Sequence, residues 1–163
     1  MRTNTRRPRA LVKVAFRLDP AVWDPAVWDP AGWHGGGVET VWAEALGSDR
    51  YRIKNTPFCF FDISAEDVVF AREDEGRLVF ASLLMRGGHS TYRLLLVEGM
   101  ESHFGIHWRP LQGLGCSYEQ GPGGIYAVDV PASCDIYEVR ARLELGAQAG
   151  VWELEEAHSG HPR

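Results

Sequence analysis

Gly87-Gly88-His89-Ser90-Thr91-Tyr92-Arg93 is the stretch on which the reading of this chain turns. Two adjacent glycines permit a positive φ or a close approach of backbone to backbone. The residues after them run into a strand pattern from Thr91 to Val97. Short strand-like segments precede the stretch, and strand and helix signals alternate after it. It therefore reads as a joint between two small β-containing halves. It is also the most polar cluster set between apolar runs, which makes it the place to look for a site.

Upstream, Val12, Val14, Phe16 and Leu18 alternate with Lys13 and Arg17, the pattern of a half-buried strand. Val38 to Leu46 and Tyr51 to Asn55 read as two more, separated by Gly47-Ser48-Asp49-Arg50. Phe58-Cys59-Phe60-Phe61 is a compact apolar run expected in the core. Val68 to Ala71 and Leu78 to Ala81 flank the turn Glu73-Asp74-Glu75-Gly76. Short strands with turns every eight to twelve residues predict a small barrel-like sheet over 11–86.

An insert interrupts this half at 19–37. Asp-Pro-Ala-Val-Trp occurs at 19–23 and 24–28, and Asp-Pro-Ala-Gly-Trp at 29–33, before His34-Gly35-Gly36-Gly37. A repeat of five is too short to build a solenoid core. The insert reads as a duplicated surface loop, with a tryptophan-bearing binding loop as the other reading.

Downstream, Tyr92 to Val97 is a buried strand. Met100, Phe104, Trp108 and Leu111 fall at helical spacing over Glu101 to Leu114, and Pro110 is expected to kink or split that helix. Cys116-Ser117-Tyr118-Glu119 and Ile125 to Val130 form a hairpin. Ile136, Val139 and Leu143 mark a second helix that starts at the acids Asp135 and Glu138 and ends at Gly146. Val151 to Glu155 is the last strand. The order β-α-β-β-α-β predicts a ferredoxin-like half over 87–157. The fold class is therefore α+β. Residues 1–10 read as a disordered basic tail and 158–163 as a second tail.

At 163 residues the chain is long enough to bury a core without staples. No apolar run approaches a membrane span of about 20 residues. The Arg-rich start has no apolar stretch before Leu11, unlike a secretory signal, so a cytoplasmic location is expected. Three widely spaced cysteines without a CxxC pattern argue against a disulfide framework and a zinc knuckle. The net charge of −5 becomes −9 once the four arginines of the first ten residues are set aside. An acidic body speaks against a nucleic-acid surface, including an RNA-binding one.

Several segments together resemble the bacterial family of domains of unknown function numbered 4265. They are Glu39-Thr40-Val41-Trp42-Ala43, Asn55-Thr56-Pro57-Phe58, Asp67-Val68-Val69, Gly88 to Arg93, Leu114-Gly115-Cys116 and Ala127 to Pro131. They stand in the family's order and cover roughly 11–157 of the chain. The pentad repeat looks like an insertion relative to the family. The resemblance implies one integrated module in a bacterial cytoplasm and supplies no activity.

The candidate ligand-binding residues are His89, Ser90, Thr91, Arg93 and Asp129. Arg93 would grip an anion through paired N–H groups, and His89 is of the side-chain type suited to serve as a general base. The structural reading of the same residues has Ser90 and Thr91 bonding backbone at the joint and Arg93 pairing with a carboxylate such as Asp129. A hydrolase would need a nucleophile beside a base, and His89 with Ser90 or Cys116 is the candidate pairing. His103 and His107 stand four apart on one helix face but lack the glutamate that follows the first histidine of a metalloprotease. No metal and no cofactor is expected. The sequence thus predicts a non-enzymatic ligand- or protein-binding module, regulatory or protective, with a small hydrolase as the alternative. Its partner would be a small molecule or a protein, and a homodimer follows from fold analogy.

Overall fold

Among the described residues the alternating segments become nine strands, and the two helical patterns become two helices. A computed structural model describes residues 9–19 and 37–162. The pentad insert at 20–36 and the basic start at 1–8 lie outside the described residues, as does Arg163.

The first half contains β1 (Leu11–Arg17), β2 (Val38–Gly47), β3 (Arg50–Ile53), β4 (Val68–Asp74) and β5 (Arg77–Met85). They pair in that order, and β1 closes the ring by pairing in parallel with β5. Register shifts at Ala45/Gly47 in β2, and at Val68/Val69 and Phe70/Ala71 in β4, bend the strands toward closure. Val14, Phe16, Val41, Ala43, Ile53, Ile63, Val69 and Ala71 fill the interior. Phe16 packs its ring 4.7 Å from Phe60 and 4.9 Å from Phe80. Each fully buried side chain of this kind stabilises the fold by about 1.5–3 kcal/mol before entropy is counted.

The second half follows the order β6 (Ser90–Leu96), α1 (Glu101–Gly113), β7 (Ser117–Gln120), β8 (Ile125–Val130), α2 (Ile136–Gln148) and β9 (Trp152–His158). Its sheet has the spatial order β7-β8-β6-β9, and every described pairing in it is antiparallel. The chain is thus an α+β protein of mostly antiparallel sheet, with two helices among the described residues. Tyr92, Leu94, Phe104, Trp108, Leu111, Tyr126, Val128, Val139, Leu143 and Trp152 form the core under the helices. No helix among the described residues is long and apolar enough to cross a membrane.

Two local expectations change. Pro110 does not split α1, which runs unbroken to Gly113. It stands in the last turn, where its missing N–H removes a single backbone bond, and its carbonyl still accepts from Leu114. Gly146 does not end α2 but lies inside it. A Cβ at Gly146 would overlap the Trp152 indole, which lies against the helix and donates Nε1–H to the Leu143 carbonyl at 2.9 Å. At the start of α2, Asp135 accepts from the amides of Tyr137 and Glu138.

A third cluster joins the halves. Leu18, Phe58 and Cys59 from the first half pack against Ile125 and Ala127 on the sheet face away from the helices. Of the apolar run at 58–61, Phe58 and Cys59 are therefore core between the halves, with the half-buried Phe60 packed against them.

Candidate functional site

Period-two alternation decides which side chains face this seam. On β6, Tyr92, Leu94 and Leu96 pack toward the helices, which leaves Thr91, Arg93 and Leu95 on the seam face. Register puts Thr91 beside Asp129 and Arg93 beside Ala127 on β8. Arg93 and Leu95 lie beside Glu155 and Glu153 on β9. The loop 54–67 of the first half lies across this face.

The two glycines divide their work. Gly88 adopts φ +86°, and a Cβ on Gly87 would collide with the Glu66 backbone. The Gly87 amide donates to Asp67 at 2.8 Å, and the buried Asp67 carboxylate also accepts from the Ser64 amide and from Arg86.

Ser90 and Thr91 are sealed. Thr91 and Ser64 share a hydroxyl–hydroxyl bond of 2.6 Å across the seam. Ser90 Oγ lies 2.6 Å from His161 Nδ1 and accepts from the Gly160 amide at 2.9 Å. His161 Nε2 stands 2.9 Å from the Pro131 carbonyl, which only accepts. Nε2 therefore carries the proton, Nδ1 is the acceptor, and the Ser90 hydroxyl donates to it. Gly160 and His161, read from sequence as part of a tail, are thus tied back onto β6 and the end of β8.

Arg93 pairs with Glu155 at 3.3 Å and not with Asp129. Its Nη2 donates to the Phe60 carbonyl at 3.4 Å, and its guanidinium stacks 4.2 Å from the Phe61 ring. Burial lowers its pKa, and the charge of Glu155 works against that shift. The partner expected of Arg93 is taken by His89, whose Nδ1 stands 2.8 Å from Asp129 Oδ1. Burial raises the Asp129 pKa, and the His89 bond opposes the rise. Register selects these partners: Arg93 and Asp129 are two pairs apart, whereas Glu155 stands opposite Arg93.

Cys116 and His89 are not brought together by neighbouring strands. Cys116 leads into β7, and β8 separates β7 from β6. Burial, followed by the neighbouring Cys134, pushes the Cys116 thiol up to about 12. A thiol so placed is a poor nucleophile. His103 bonds its neighbour Ser102, and His107 packs against Trp152. Among the described residues no cluster of three His, Cys, Asp or Glu side chains is arranged to hold a metal ion.

Four buried or half-buried polar groups around the second sheet were missed from sequence. Glu39 on β2 is buried, and its carboxylate accepts from the successive amides of Phe58, Cys59 and Phe60. Its signal was present: it falls in phase with Val41 and Ala43, an acid on an apolar face. Glu119 on β7 accepts from Asn55 Nδ2 and the Thr56 amide, and burial raises its pKa. His161 and His158 gave no signal, because nothing in the chain's end marks it as returning to β6. His158 Nε2 is buried with no hydrogen-bond partner among the described residues, and burial, then Arg86, lowers its pKa.

One cavity borders this face. It measures about 350 Å³ and is lined by Arg93, Leu94, Leu95, Ile125, Glu153, Leu154 and Glu155. A groove of about 470 Å³ lies elsewhere, between the helices at Ile106, Pro110, Arg142 and Leu145. It contains none of the seam residues.

A strand ring joined through a polar seam to a helix-covered antiparallel sheet defines the class of this protein. The chain belongs to the family described as Domain of unknown function (DUF4265), whose model matches residues 39–154. A crystal structure titled as a novel structure of a hypothetical protein from Neisseria gonorrhoeae is similar in fold. It is 12% identical, covers 93% of this chain and 97% of its own, and superposes with a TM-score of 0.70. No curated protein matches.

Proposed function

We propose that the protein is a non-enzymatic binding module that takes a small molecule or a protein segment at the cavity beside Arg93. The observation that carries this reading is the cavity itself. Its lining combines apolar residues, Leu95 and Ile125 among them, with Arg93, Glu153 and Glu155. Its size falls at the small end of the range for ligand sites, and the mix of apolar lining and few polar groups is typical of them. Of the five residues expected to bind ligand, Arg93 reaches this cavity. His89 and Asp129 form a second polar pair at the far end of the seam, Thr91 bonds Ser64 of the first half, and Ser90 holds down Gly160 and His161.

We read the ring over 11–86 as a small barrel and the half over 87–157 as ferredoxin-like. The order β-α-β-β-α-β with sheet order β7-β8-β6-β9 supports the second reading. The shared cluster at Ile125 and Ala127 supports treating the two as one unit. A cytoplasmic setting and a homodimer belong to the same reading, the latter by fold analogy alone.

The hydrolase reading has the His89–Asp129 pair in its favour, since an aspartate on Nδ1 orients an imidazole as a base. Against it, Ser90 is turned to His161, and Cys116 is buried with a raised pKa.

A thermal-shift screen of amine- and guanidine-bearing apolar fragments tests the proposal on wild type and on Leu95→Asp. A stabilising fragment whose effect is lost in Leu95→Asp and kept in His89→Ala supports it. Equal loss in His89→Ala would move the site to the other end of the seam.

A further inference from the structure

β9 is the outermost strand of its sheet. It pairs with β6 on one side, and among the described residues no strand pairs with the other. Its edge backbone groups are a template for another strand. Its sequence, Trp-Glu-Leu-Glu-Glu-Ala-His, is acidic at Glu153, Glu155 and Glu156. Glu153 and Glu155 face the seam cavity, and Glu153 is exposed.

We infer that β9 accepts an extended basic peptide segment as an added strand, with one of its side chains entering the cavity at Leu95, Glu153 and Glu155. The inference rests on the binding-module reading and names its partner. Three features select that partner. Main-chain groups along β9 supply generic strand pairing, and the cavity supplies a pocket for an alternate side chain. The apolar lining at Leu95 and Ile125 suits the aliphatic stem of a lysine or arginine. Arg93 already offsets Glu155 at 3.3 Å, so Glu153 adds the charge that a basic side chain would meet. A second copy of this chain is a poor occupant, because two β9 edges would set glutamates against glutamates.

The test uses a fluorescein-labelled peptide of alternating arginine and valine, about eight residues long to match a strand. Its controls are the same peptide methylated at every backbone nitrogen and a glutamate–valine counterpart. Anisotropy titration is expected to show binding of the first peptide alone, weakened by ~tenfold or more in Glu153→Lys. Because Glu153 is exposed, that variant should keep the wild-type melting temperature. Equal binding of the methylated peptide would reduce the effect to surface charge and overturn the inference. No binding of any peptide, while a fragment still stabilises the protein through Leu95, would overturn the added strand and leave the binding module standing. No binding of peptide or fragment would remove both. Self-association abolished by Glu153→Lys would give the edge to a second copy and also overturn the inference.

Discussion

Thr91 and Arg93 stand two residues apart on one face of β6, and their surroundings differ. Thr91 meets the Ser64 hydroxyl, and its neighbour Ser90 is locked by His161 and Gly160. These groups bond the chain to itself and leave nothing over for a ligand. Arg93 is equally buried, yet one side of its ion pair with Glu155 lines a cavity. The lesson is that a polar cluster between apolar runs marks where two bodies of a protein are joined. Only the end of the joint that the second body fails to cover is available for binding.

The comparison breaks most visibly at Glu39. Glu39→Ala leaves three successive amides of the loop 58–60 without their acceptor. A loss of about 3 kcal/mol or more is expected from such buried unsatisfied donors, measured by urea unfolding. A loss no larger than that of an exposed glutamate would mean that the loop is not held from β2.

Thr91→Val is the next test. It removes the bond to Ser64 and leaves a buried hydroxyl unpaired, at a cost of about 1–2 kcal/mol. Fragment or peptide affinity should be unchanged, because the sealed end takes no part in binding. A stable variant that has lost affinity would reverse the assignment of the two ends.

The pH dependence sharpens the same contrast on a smaller scale. Burial with Arg86 nearby holds His158 below its ordinary 6.5 in the fold. The unfolded chain then takes up this proton more readily. The His158 contribution is fully present above pH 6.5 and is lost as pH falls through the folded-state value. Asp129 and Glu119 act in the opposite sense, since burial raises both above their ordinary 3.8 and 4.5. Their contribution is present below those values and is lost as pH rises through the folded ones. On acidification below pH 6.5 His158 lowers the melting temperature while Asp129 and Glu119 raise it, so His158→Asn should shift the slope toward a smaller fall or a rise. An unchanged slope would show that the seam histidine is not buried as neutral imidazole.

The smallest effect is expected at Glu153. Glu153→Gln should alter stability by no more than about 0.5 kcal/mol, as exposed substitutions do. A larger loss would show that β9 depends on this charge for its own structure.

Much of the architecture was legible because burial follows period. Val14 and Phe16 in β1, and Phe104, Trp108 and Leu111 in α1, are buried as their spacing predicts. The joint was legible in Gly87-Gly88, one used for close approach and the other for positive φ. Partners were less legible, because pairing across a sheet depends on register that a single strand does not encode. Arg93 could be seen as needing a carboxylate, but strand order chose Glu155 over Asp129. The return of Gly160 and His161 onto Ser90 is a long-range contact without a local pattern. Gly146 misled for a related reason: a glycine inside a helix reads as a stop unless the indole lying against it is known.

Amide hydrogen exchange across the seam tests the account most directly, because it reads both ends in one sample. The amides of Phe58, Cys59, Phe60 and Gly160 should exchange only through near-global unfolding. The outward-facing amides of β9 between Glu153 and Glu156 should exchange fast and slow down when the arginine–valine peptide is added. Fast exchange at residues 58–60, or β9 amides already protected without peptide, would contradict a seam closed at one end and open at the other.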